Sequence, residues 1–387
     1  MLRMKQYSKT RLYLSIAAIS FIQGLQFCVS PVLGDIQAHY PDVNVSLIQM
    51  LITAPGLFSL VVALVSGWLV LRITKKQMLV FAGLVAGVTG LLPFLHDSFT
   101  LLLVSRTVYG ISLGIATTMN MAVVAEFFEG QDRVKAMGFQ AACVGAGMVV
   151  TTVCAGILGR SGFRNSYFIN VIGFISMILL IVCLPETGVA KETKTEKIRL
   201  NGKVFLMDLF ALLEFFFLIT YTTNIAMHLS GALAGNTSVS GTLSGIFSGV
   251  QIVAGILLGA ITAKLKKYTP AAAMLSFAAG AALLALFPGN IVMLTVSSIL
   301  CGMSQGVFIP TASTYLSNHV APVATALAAA TMTVAMNAGQ LLSPVVLNTV
   351  AARIFGETTT TGVYAISACG MAVCAAAMFL WRHFAKD

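Results

Sequence analysis

The sequence predicts an all-α polytopic membrane protein: 12 transmembrane helices in two pseudo-symmetric six-helix halves, with both termini cytoplasmic. Three observations carry this. The first is composition: 58% of the 387 residues are hydrophobic and 9% are charged, with a mean hydropathy of +0.92. Soluble domains hold about 45–50% apolar and about 25% charged residues, so a bilayer is the solvent that fits this chain. The second is a series of apolar stretches of membrane-crossing length. The third is the way the cations fall between them.

A crossing helix needs about 20 mostly apolar residues. Span 1 is read at 11–34, after the basic N-terminal segment. Span 2, at 47–71, ends at the basic run Arg72, Lys75 and Lys76, and span 3 follows at 77–95. Span 4 covers 99–125 and is closed by Glu126; span 5 covers 135–158, between Lys135 and Arg160. Span 6, at 166–184, stops at "LPET". Span 7 runs from 204 to 229 after Lys203, span 8 from 240 to 263 before Lys264, and span 9 from 271 to 287. Spans 10, 11 and 12 cover 290–316, 322–349 and 360–381, the last ending at Arg382. Transmembrane β-barrels need alternating segments of about ten residues, which are absent. The first apolar run is too long for a cleavable signal peptide.

With the N-terminus placed inside, 19 of the 23 Lys and Arg residues fall on cytoplasmic segments. Arg160, Arg164 and Arg353 fall outside, and Arg106 is left within span 4. This asymmetry follows the positive-inside rule and accounts for the net charge of +10 without nucleic acid. The seven cysteines all lie in apolar spans and form no CxxC or Cys/His cluster, which argues for buried small side chains and against a metal or redox site.

The stretch 186–203, "ETGVAKETKTEKIRLNGK", divides six spans from six. It is read as a cytoplasmic linker between an N-terminal half, 1–185, and a C-terminal half, 204–387. The halves repeat at an offset of 192. "GWLVLRITKK" from Gly67 matches "GAITAKLKKY" from Gly259. Arg106, Gly110 and Gly114 match Ser298, Gly302 and Gly306, and Gly147 matches Gly339. Parallel repeats of six helices imply a transporter architecture with its site near the bilayer midplane.

These features resemble the major facilitator superfamily over essentially the whole chain, closest to the twelve-span drug:proton antiporter branch that includes arabinose-efflux-permease-like proteins. The family loop G-x-x-x-D-R-x-G-R-K is met by Gly67, Arg72, Lys75 and Lys76, while Leu71 and Thr74 replace its Asp and second Gly. The span-4 signature R-x-x-x-G is met by Arg106 and Gly110, with Gly114 beyond. "GQLLSP", Gly339 to Pro344, is similar to the family's span-11 element. The span-5 antiporter core is present only as Gly147 and Gly156, without its proline.

Candidate functional residues follow. A bare Arg in hydrocarbon costs on the order of 3 kcal/mol, so Arg106 must face protein or water. It either binds an anionic group or influences a proton site, as the resemblance implies, or it satisfies backbone carbonyls between helices with its five donors. Glu214 lies about ten residues into span 7, near mid-bilayer. Hydrocarbon favours its neutral form over the carboxylate, which suits a group that takes up and releases a proton, or that neutralises a cationic substrate. Tyr221 and Asn224 flank it on the same span, among phenylalanines suited to an amphipathic cation.

In the family, spans 1, 4, 7 and 10 line the cavity, which ranks Gln23, Gln26, Asn120 and Gln305 as lining candidates. Each is as readily helix-packing glue. The resemblance also implies a cytoplasmic gate in which Glu126 pairs with the loop carrying Gly67, Arg72, Lys75 and Lys76. A solvated end charge beside Arg133 is the alternative. Asp208 is expected at the solvated end of span 7, and Asp35 in a loop or an outer gate. There is no nucleotide-binding motif, so transport would run on a gradient, and Glu214 points to protons. The expectation is a non-enzymatic carrier in a prokaryotic inner membrane, monomeric, with no cofactor or metal. It exports amphipathic cations, or alternatively carries a small organic anion on Arg106, or else serves as a non-transporting sensor.

Overall fold

The computed structural model describes residues 8–186, 188, 202–320 and 325–384. Most of the expected linker 186–203 lies outside them, as do Arg3, Lys5 and Lys386 from the charge tally. Among the described residues every regular element is helical. The helices are α1 (Lys9–Gly24), α2 (Leu33–His39), α3 (Val45–Leu69), α4 (Lys75–Leu91), α5 (Phe99–Phe127), α6 (Gly130–Gly159) and α7 (Val171–Cys183). They continue as α8 (Gly202–His228), α9 (Thr237–Leu265), α10 (Thr269–Leu286), α11 (Ile291–His319), α12 (Thr325–Phe355) and α13 (Thr360–Phe384). Among the described residues eleven apolar helical stretches are long enough to cross a membrane, and one of them, Thr237–Leu286, holds both α9 and α10. Counting those two separately gives twelve candidate spans among the described residues.

Two boundaries are not those expected. Span 1 is not one helix. It breaks after Gly24 into two 3₁₀ turns, Leu25–Phe27 and Ser30–Val32, before α2 resumes. Pro31 sits inside the second turn and has no N–H to give a helix. Span 6 likewise begins in a 3₁₀ stretch, Phe163–Asn170, before α7. The α9–α10 join needs only the turn Lys266–Tyr268, where Lys266 takes a positive φ of 49°.

Contacts divide the chain into two compact units. One holds residues 1–32 and 51–194, the other 33–50 and 195–387. The second unit thus takes in α2 and the first residues of α3, a segment that the sequence-based halves assign to the N-terminal repeat. Within the first unit α1 packs on α6, and α4 on α5 and α7. Within the second, α8 packs on α12, and α10 on α11 and α13, the same pairings one repeat later.

The repeat extends to single contacts. A Cβ on Gly110 would come within 2.6 Å of the Pro55 carbonyl oxygen, and one on Gly114 within 2.6 Å of that of Ser59. In the other unit Gly302 meets the Phe247 carbonyl and Gly306 the Gln251 backbone. Glycines and partners alike keep the offset of 192. Small residues let helix backbones approach where apolar burial gives no net driving force in lipid.

Polarity is distributed inside out. Ile256, Leu286 and Val373 are 77%, 70% and 69% exposed, while Ser, Thr, Asn and Gln side chains fill much of the interior. Water would penalise such a surface, whereas lipid tails do not. The chain is a multi-pass membrane protein.

Candidate functional site

In the second unit, α8 is the helix most enclosed by its neighbours, and it carries the expected acid. Glu214 has no exposed surface. Ser304 on α11 donates to its Oε1 at 2.6 Å, while Oε2 is buried and meets no hydrogen-bonding group among the described residues. Gly339 on α12 rests against the Leu212 carbonyl and the Phe216 amide, so α12 closes down directly beside this turn of α8. The acid is therefore held in a buried, tightly packed place with one of its two oxygens unpartnered among the described residues.

The other expected residues on this unit separate. Tyr221 is fully buried and saturated. Its hydroxyl lies 2.6 Å from Ser298 Oγ and donates to the Leu243 carbonyl at 3.1 Å, and its ring stacks on Phe247 at 4.6 Å. It is a packing residue in this conformation, with no surface toward a cavity. Asn224 does line a cavity, one of about 540 Å³ shared with Asp35, Asn348 and Thr360. Gln49 donates to Asn224 Oδ1 at 2.8 Å, and Asn348 donates to Gln49 Oε1 at 2.8 Å and to Ser46 Oγ at 2.9 Å. Gln305 is nearly buried, with its Oε1 unpartnered among the described residues.

The first unit answers the question of the intramembrane arginine. Arg106 is 1% exposed. Its Nε donates to the Leu51 carbonyl at 3.0 Å, Nη1 and Nη2 reach the Leu25 carbonyl at 3.4 Å, and Nη2 also donates to the Gln26 carbonyl. The guanidinium lies 4.8 Å from the Tyr109 ring centre. These carbonyls belong largely to the broken stretch of span 1. Irregular backbone at membrane depth survives only where other groups satisfy it. Of the two readings of Arg106, the geometry fits the carbonyl-capping one.

Gln23 donates to the Ala116 carbonyl at 2.9 Å and Asn120 to Ser20 Oγ at 3.0 Å, both as interhelical links. Gln26 is tied in through its own carbonyl to Arg106. At the far end of α4 and α5, Lys75 Nζ lies 2.7 Å from Glu126 Oε2, both about four-fifths buried. Lys76 donates to the Ile181 carbonyl at 2.8 Å. Thr74 caps α4 through a reciprocal pair with Gln77, which fixes the lysines on the first turn. Gly67 lies in α3, and Arg72 bonds within the turn that follows, its amide donating to Leu69. The structure thus brings Lys75 and Glu126 together.

Sequence reasoning missed three things. Asp208 is not at a solvated helix end: it is 7% exposed, with Oδ1 unpartnered among the described residues and a hydrogen bond to Thr331. It makes α8 a helix with two buried acids. The Gln49–Asn224–Asn348 chain was missed because its members lie 175 and 299 residues apart. The break in span 1 was signalled only by Pro31. Among the described residues no cluster of His, Cys, Asp or Glu forms a metal site.

With this geometry in place, the chain's likeness to known proteins can be stated. It is 22% identical over 203 residues to the quinolone resistance protein NorA of Staphylococcus aureus, covering 50% of this chain and 51% of that one. It is 25% identical over 143 residues to multidrug resistance protein 2 of Bacillus subtilis, 37% of this chain and 34% of that one. The chain thus matches about half the length of the Staphylococcus relatives and a third of the Bacillus one. Among solved structures it is similar to the nucleoside transporter NupG, at a TM-score of 0.73 and 17% identity, covering 97% of this chain and 100% of that one. It is also similar to the POT family transporter PepTSo, at 0.75 and 11%, covering 97% and 98%. At these identities the likeness is one of fold. The family model described as Major Facilitator Superfamily matches residues 13–227 and 207–386, and the chain belongs to that family of transporters.

Proposed function

We propose that the chain is a proton-coupled exporter of amphipathic, cationic small molecules, working by alternating access in a prokaryotic cytoplasmic membrane. The observation that carries this is Glu214, a fully buried acid with one oxygen bonded to Ser304 and the other unused. Glu214 takes up a proton when its helix opens to one side and releases it when the substrate competes for the site. The names of the two bacterial relatives, a quinolone and a multidrug resistance protein, support export of this substrate class. The charge split of the loops supports cytoplasmic termini. The carrier acts as a monomer without a cofactor, and the Lys75–Glu126 pair is a latch at its inner end. An organic-anion carrier would need Arg106 as ligand, and its donors are committed to backbone carbonyls.

The test is transport in proteoliposomes with an imposed pH gradient. Wild type should move a lipophilic cationic dye against its gradient and collapse the pH gradient as it does so. Glu214→Gln should bind dye yet lose the coupled proton flux. Dye-coupled proton flux undiminished in Glu214→Gln overturns the reading, as does a folded wild type that moves no dye.

A further inference from the structure

Where α9 turns into α10, the chain gathers cations with no acid among them. A cavity of about 820 Å³ is lined by seven residues, four of them Lys264, Lys266, Lys267 and Arg382. A second cavity, of about 520 Å³, shares Lys266, Lys267 and Arg382 and adds His319. No carboxylate lines either cavity among the described residues. Four like charges in one crevice repel one another unless an anion enters.

The crevice is built rather than incidental. Arg382 is 9% exposed, although it sits near the end of α13. Its Nε donates to the Lys267 carbonyl at 3.1 Å, and its guanidinium lies 4.7 Å from the Tyr315 ring centre. Lys267 Nζ donates to the His383 carbonyl at 3.4 Å, and the Tyr268 hydroxyl lies 3.1 Å from His383 Nδ1. These bonds lock the α9–α10 turn onto α13. By contrast, the ammonium groups of Lys264 and Lys266 are exposed and have no partner among the described residues. Lys266 also holds the one positive φ of a non-glycine described residue. That conformation costs of order 1 kcal/mol or more, sustained here by the bonds around it.

We infer that this crevice binds a phosphate group. Arg382 forms a fixed cationic wall, and Lys264 and Lys266 are two mobile donors that close over the anion. Membrane-edge basic pockets between helices are suited to phospholipid headgroups. The surroundings favour that source over free phosphate: Leu265, Phe379 and Phe384 are exposed apolar side chains at the same end of these helices, where acyl chains would lie.

The test is native mass spectrometry of the full chain in detergent, with short-chain phosphatidylglycerol and inorganic phosphate as separate probes. Wild type should retain phosphatidylglycerol. Lys264→Gln with Lys266→Gln removes only exposed ammonium groups, and affinity should fall by about 30-fold. Replacing a remote exposed pair, Lys135→Gln with Arg160→Gln, should change nothing. If excess inorganic phosphate displaces the lipid and is itself retained, the site stands with free phosphate as a ligand. If it does not, the lipid headgroup is the ligand. Binding of neither probe overturns the inference, as does an equal loss in the remote pair, since that would mean surface charge alone.

Discussion

Replacing Arg106 by Leu separates a structural arginine from a coupling one. The side chain donates to the carbonyls of Leu25, Gln26 and Leu51. The Leu25 carbonyl also accepts from the Cys28 amide at 3.3 Å, whereas the Leu51 carbonyl stands one turn before Pro55, which has no N–H to give it. A buried polar group left without a partner costs about 1–3 kcal/mol. The Leu51 carbonyl alone therefore gives about 1–3 kcal/mol, roughly a 5- to 150-fold change in a folding equilibrium. Arg106→Lys should fall between Leu and wild type. One ammonium has three donors, but it lacks the planar fork that reaches Leu51 on one side and Leu25 and Gln26 on the other. The assay is denaturant-induced unfolding of the purified protein in micelles, beside transport at a temperature where each variant is folded. The expected order of stability is wild type, Lys, Leu, with coupling retained in whatever fraction remains folded. If Arg106→Leu unfolds at the wild-type midpoint and has lost proton coupling, the carbonyl-capping argument fails and Arg106 is a coupling residue.

Other outcomes follow from the same contacts. Gly302→Leu drives a side chain into the Phe247 carbonyl, where backbone cannot yield, so the variant should express poorly and melt well below wild type in a fluorescence thermal assay. Charge reversal in either Lys75→Glu or Glu126→Lys should slow transport, and the double swap should recover part of it. Both partners are about four-fifths buried, so each single reversal, which sets like charges side by side, should also lower the melting temperature, and the double swap should restore it. Asn224→Leu leaves the Gln49 side-chain amide without its acceptor, costs about 1–3 kcal/mol and should speed hydrogen exchange in α2 and at the start of α3. An unchanged exchange rate there would mean that the amide chain is decorative.

The parts of the fold that repeat were legible, and the parts that do not were not. The offset of 192 that the glycines show also relates their contact partners, Pro55 to Phe247 and Ser59 to Gln251. A helix interface in lipid leaves a strong mark, because only a missing side chain lets two backbones touch. Pairing of distant amides leaves none: Gln49, Asn224 and Asn348 look like three ordinary polar residues until the fold brings them together. Asp208 escapes sequence reasoning for a related reason. Counting residues from the end of α8 gives its depth along the helix but not the neighbours on α12, including Thr331, that cover it.

The divergence between the repeats is where their chemistry separates. At one place in the alignment the first repeat has Arg106 and the second Ser298. Arg106 faces a span that is broken, and it donates to the Leu25 and Gln26 carbonyls there. Ser298 faces α8, which runs unbroken from Gly202 to His228, and it needs only to meet the Tyr221 hydroxyl. An intact helix satisfies its own carbonyls, so its polar side chains are released from that duty. On that intact helix Glu214 meets one partner, Ser304. In the first repeat the buried charge is spent on holding backbone together. In the second, the buried acid has one hydrogen-bond partner, Ser304. The same scaffold thus places a fixed cation in one unit and a singly bonded buried acid in the other, one beside a broken helix and the other on an intact one.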